Sequence, residues 1–226
     1  MADDKKEILK STVRLRADAT GSGGERAVSA ASATTPVVDG EASHEGAPAV
    51  VLELAVGCTR FVATVAKVQL DFGPDTLSIL DHYVRESRDA IKERPESLAL
   101  TARSIGAYLG ELVRRRHRCW WRLDESDPSA WRLEFRDMLL AVYPVQIAYT
   151  VLTQDRDEDP FCGFEIEPEA REALLSRLGE LPPVSEDEYF CPSTHFDVLE
   201  MAIDTLIKMA PADPSRQRTY SPVDYE

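Results

Sequence analysis

Glycine-rich phosphate loops, paired cysteines and long unbroken apolar runs are all missing from this 226-residue chain. Each absence removes a class of function. Gly21, Gly23 and Gly24 lie in a stretch rich in Ser, Ala and Thr. No strand pattern precedes them and no helix pattern follows, so they make no phosphate cradle. No G-x-S-x-G elbow occurs and no serine has an obvious partner histidine, which leaves nucleophilic hydrolysis without its usual signature. Cys58, Cys119, Cys162 and Cys191 are widely scattered, with no CxxC pair. The opening MADDKKEILK has no apolar signal core, so reduced thiols in the cytoplasm are expected. The most apolar run, 49–70, is broken by Glu53, Arg60 and Lys67, which speaks against a membrane span. Basic residues are also short: 26 Lys and Arg face 40 Asp and Glu, a formal net charge of −14. That balance disfavours nucleic acid or an anionic membrane as the main partner, because both repel an acidic surface.

What is present is organised around 96–123, ESLALTARSIGAYLGELVRRRHRCWWRL. Leu98, Ala102, Ile105, Leu109 and Leu112 recur at steps of four and three and form one apolar helical stripe. Ala99, Ala102, Gly106 and Gly110 make a narrower ridge of small residues, which predicts close packing against another backbone. The basic run Arg114 to Arg118 suits the negative pole of the helix dipole. The period then changes to two, and Cys119, Trp121 and Leu123 alternate with Trp120 and Arg122.

The flanks supply the remaining elements. Residues 1–47 read as a disordered tail, because bulky apolar side chains are too few to offset the ordering entropy. A single globular domain is expected over 48–210. It opens with a helix in which Leu52, Val56, Phe61, Val62 and Val65 are available to pack. Asp75 is the expected N-cap of a second helix carrying Leu77, Leu80, Val84 and Ile91. The turn-rich 124–129 joins Cys119–Leu123 to Trp131–Phe135 in a hairpin over about 119–136, with room for a third strand at 138–142. Pro144 and Pro168 each open a helix, and Ser193 or Thr194 caps a last one beyond a polar loop. Residues 211–226 read as a disordered C-terminal tail. The fold class expected is therefore α+β, a small antiparallel sheet packed with about five helices.

Three blocks carry a resemblance: LDFGPDTLSILDHYV, SIGAYLGELVRR followed by CWW, and PPVSEDEYFCPSTHFDVLEMAIDTL. They resemble uncharacterised bacterial proteins with a GAYLGE-type core helix followed by a Trp-bearing strand. The resemblance spans about 49–210 and is architectural. It implies no established activity and carries over no functional residue.

Candidate chemistry is thin. Cys191 and His195 are four apart, and with His117 and Cys119 they offer a Cys/His set of the kind zinc prefers, but Pro192 interrupts the first pair. Asp155, Asp157 and Asp159 imitate the start of a calcium loop, yet Pro160 and Ile166 stand where glycine and a bidentate carboxylate are required. Neither a metal nor a cofactor is therefore expected. Between Asp155 and Glu188 there are twelve acids against three arginines, a net of −9. The expectation is a non-catalytic bacterial protein-binding module of the immunity, adaptor or regulatory type. Asp157, Glu158, Asp159, Glu186, Asp187 and Glu188 would dock a basic protein partner. The alternative is a thiol- or metal-dependent hydrolase using Cys191 and His195.

Overall fold

Five α-helices among the described residues start at or directly after a proline, which loses nothing at a helix start because the first N–H groups have no intrahelical partner. A computed structural model describes residues 46–155 and 163–226. Pro48 precedes α1 (Ala49–Ala66), and α2 (Leu77–Lys92) follows a short 3-10 turn at Pro74–Thr76. Pro95 opens α3 (Pro95–Arg114), and Pro144 opens α4 (Pro144–Thr153). The remaining helices are α5 (Pro168–Gly179), the single turn α6 (Glu186–Tyr189) and α7 (Pro192–Met209). The expected α+β class holds, with seven α-helices among the described residues rather than about five.

The expected hairpin forms two strands of a four-stranded antiparallel meander, ordered β1-β2-β3-β4. Strands β1 (Cys119–Arg122) and β2 (Arg132–Phe135) pair with Cys119 opposite Phe135 and Trp121 opposite Leu133. The third strand, β3 (Leu140–Val142), lies within the expected 138–142. β4 (Phe164–Ile166) is too short, and too isolated among acids, to show in the periodicity of the sequence.

α3 is the centre of the packing, with α1 and α4 as its main neighbours. Its stripe of Ala102, Ile105, Leu109 and Leu112 is buried, and so are Ala107, Tyr108 and Val113 on its other sides. The small-residue ridge does what its spacing predicts. A Cβ on Gly106 would lie 2.6 Å from Val145 Cα, so this glycine sets the closest approach of α3 and α4. At Gly110 the close neighbour is the Trp121 ring instead, 2.2 Å from the same kind of added atom.

Three expectations are corrected. α1 turns inward with Val51, Ala55, Cys58, Thr59 and Val62, while Leu52, Val56, Phe61 and Val65 are exposed. The inward set is the smaller-chained one, as a close approach to α3 requires. Asp75 does not cap α2; the neighbouring Asp71 accepts from Gly73 N–H at 2.8 Å and Thr76 hydroxyl at 2.9 Å to hold the turn before it. Nor is 211–226 a disordered tail. Tyr225 places its hydroxyl between β2 and β3, donating to Phe135 carbonyl at 2.6 Å and accepting from Phe135 N–H at 3.1 Å. Tyr220 N–H donates to Arg136 carbonyl at 2.7 Å, so the chain end is tied to the sheet at two points.

Candidate functional site

The acidic residues named from the sequence fall into two groups. Asp157, Glu158 and Asp159 lie outside the described residues, as does Cys162. Glu186, Asp187 and Glu188 make up three of the four residues of α6. A capping box fixes this turn: Ser185 Oγ accepts from Glu188 N–H at 3.2 Å, and Glu188 Oε2 accepts from Ser185 N–H at 3.0 Å. All three acids are exposed but they are not equivalent. Glu188 is engaged in the cap, and Asp187 meets Arg85 of α2 at 2.8 Å. Glu186 projects from the turn with no ion pair among the described residues.

Two buried charges on α2 brace the segment that follows the acidic turn. Asp81 accepts from Ser193 N–H at 3.0 Å and from Ser193 hydroxyl at 2.6 Å, and so caps α7 from another helix. Burial pushes its carboxyl above the usual carboxylate range, against the opposing pull of the Ser193 bonds. Arg88 Nη2 donates to Phe190 carbonyl at 2.8 Å, at the end of the turn. Sequence reasoning expected Ser193 or Thr194 to cap α7 and missed both braces. Their signal was present all the same. Asp81 and Arg88 occupy positions on the apolar stripe of Leu77, Leu80, Val84 and Ile91, where a charge is buried only if it has work to do.

The thiol and imidazole candidates are held away from chemistry. Cys191 Sγ donates to Asp187 carbonyl at 3.2 Å, and burial pushes this thiol up to about 12. Cys58 and Cys119 are likewise pushed up to about 12 by burial. The thiolate is the reactive form of cysteine, and burial disfavours it at all three positions. His195 is buried with Nε2 unpartnered, and burial lowers it to about 4, despite a hydrogen bond to the Tyr189 backbone that acts in the opposite sense. It lines a cavity of about 20 Å³ with Leu109, Val113 and Phe196 among its walls, room for about one water molecule. His117 and Cys119 do not join it. His117 Nε2 meets Glu200 at 2.9 Å, and Cys119 donates to His117 carbonyl at 3.7 Å. Among the described residues no cluster of three metal-ligating side chains forms.

The basic run after α3 is spent internally. Arg114 pairs with the fully buried Glu111 at 2.8 Å, and Arg115 lies over the Phe72 ring at 3.7 Å. Arg116 reaches Glu200 at 3.2 Å and Arg118 reaches Asp137 at 3.3 Å. The two tryptophans are tied the same way. Trp121 Nε1 donates to Glu111 and Trp120 Nε1 to the buried Glu134, both at 2.8 Å. This stretch is a helix end tied to a hairpin by the Trp121–Glu111 hydrogen bond, with its arginines in contacts within the chain.

No protein-family model matches the chain, and neither the curated proteins nor the solved structures contain a match to it.

Proposed function

We propose that the chain is a non-catalytic protein-binding module of the bacterial cytoplasm, of the immunity, adaptor or regulatory type, which docks a basic protein through its acidic surface. The observation that carries this reading is α6. Its acids stand exposed on a turn closed by a capping box, with Arg88 holding the Phe190 carbonyl at its end. A preordered turn loses little conformational freedom on binding, so more of its interaction energy reaches the complex. The surrounding net of −9 over 155–188 adds long-range attraction for a cation-rich surface. The protonated thiols and neutral buried imidazole support binding over thiol or imidazole chemistry.

Charge reversal at Glu186 and Asp187 tests the proposal while leaving Glu188 to cap the turn. A partner is first trapped by carboxylate-to-lysine crosslinking, and its crosslinks are mapped to 186–188. Association rates are then measured at low and moderate salt. The reversed variant should associate roughly tenfold more slowly and show a flatter salt dependence. Its melting curve should barely move, because exposed ion pairs contribute little to stability. Equal rates for the two proteins would reduce α6 to a solvated surface.

A further inference from the structure

Among the described residues nothing covers one side of the 18-residue α1. Val50, Leu52, Val56, Phe61 and Val65 are all exposed, Phe61 by 41 % and Val65 by 52 %. By length and composition alone this helix is apolar enough to cross a membrane. Its five-residue buried stripe faces the protein, however, and its outward line carries charge. That line runs Ala49, Glu53, Val56/Gly57, Arg60 and Thr64, at steps of three and four. Glu53 and Arg60 are exposed, and neither has a side-chain partner among the described residues. They stand about 10.5 Å apart along the helix axis, too far to pair with each other within one chain.

The positions of these two charges are symmetric. Each lies three and a half residues from the midpoint between Val56 and Gly57. A two-fold axis through that midpoint, perpendicular to the helix, places a second α1 antiparallel to the first. Glu53 of each copy then stands level with Arg60 of the other, which makes two ion pairs of opposite polarity across the contact. At the axis, Gly57 of each copy stands level with Val56 of the other, and an added Cβ on Gly57 meets no atom within 4 Å. The central glycine lets the two helices approach closely.

We propose that a second copy of this chain covers the exposed face of α1 in an antiparallel, two-fold symmetric helix pair. The contact is isologous, with the same patch contributed by both copies, as closed two-fold dimers require. A lipid surface is a poorer occupant, because Glu53 and Arg60 would both lose water with no partner and the chain as a whole is acidic. None of the residues in this contact belongs to the acidic turn, so the surface is independent of the docking function proposed above.

Sedimentation velocity of the full chain over a range of concentrations is the test, with circular dichroism to confirm that each variant is folded. The expected result is a reversible monomer–dimer equilibrium. Glu53→Arg and Arg60→Glu, made singly, each set like charges opposite one another and should raise the dimer dissociation constant roughly tenfold or more. The double variant carrying both changes restores opposite charges and should recover most of the loss. A misfolded protein would not be rescued in this way. A chain that stays monomeric at every concentration overturns the proposal. So does a dimer indifferent to all three variants, which would place the contact elsewhere. Two further results would also overturn it: a monomer that binds phosphatidylglycerol vesicles through α1, and a monomer in which the N-terminal 1–45 crosslinks to α1 within one chain.

Discussion

α1 and α3 are both apolar helices of similar length, yet one is buried nearly all round and the other on one side only. The difference follows from where their small residues lie. In α3, Gly106 and Gly110 let α4 and Trp121 come close, so neighbours fit on several faces at once. In α1, Ala55, Cys58 and Thr59 form the inward stripe, and the larger Leu52, Val56, Phe61 and Val65 are left outside. Apolarity identifies a helix that will be buried somewhere. The small residues identify the face on which the tightest contact is made.

The largest test of this contrast concerns charge. Glu111 of α3 is fully buried and accepts from Trp121 and Arg114. Glu111→Ala leaves both donors without an acceptor and should cost about 3–5 kcal/mol in denaturant unfolding. Glu53→Ala on α1 removes an exposed carboxylate and should stay within about 0.5 kcal/mol. Comparable costs for the two would break the comparison.

The second test uses pH, since the cavity beside Leu109 and Val113 of α3 also holds His195. The folded state lowers this imidazole from 6.5 to about 4, so the unfolded chain binds the proton more readily. Stability should be full above about pH 6.5 and fall as pH drops towards 4, by about 3 kcal/mol over the window. His195→Phe should flatten that part of the profile, read by urea melts at several pH values. An unchanged slope would mean that the α3 side of the core is wetter than the structure shows.

The smallest test sets two glycines against each other. Gly106→Ala on α3 drives a Cβ into the α4 backbone and should cost about 1–3 kcal/mol. Gly57→Ala on α1 meets nothing within 4 Å and should instead stabilise the monomer by about 0.5–1 kcal/mol, because alanine is the better helix former. Both are read from melts at low protein concentration. Matching signs would show that the two helices are covered to the same degree.

Local pattern was enough for the α+β class, the central helix, the hairpin and the helix starts at Pro144 and Pro168, because period and proline geometry act within a few residues. The fate of the Arg114–Arg118 run was also legible, since a helix C-terminus on an acidic chain finds carboxylates nearby. Three things depended on contacts between residues far apart in the chain, and only the tertiary structure decided them. The inward face of α1 was set by how closely α3 could be approached. The order of the C-terminal residues was set by the hydroxyl of Tyr225, which meets main-chain groups of β2 and β3 some ninety positions earlier. The start of α7 and the end of the acidic turn are held by Asp81 and Arg88, whose reach to Ser193 and Phe190 spans more than a hundred residues. A sequence records which side chains are apolar or charged. Which of them meet is settled by the packing that brings distant segments together, because burying a polar group is favourable only when its partner arrives with it.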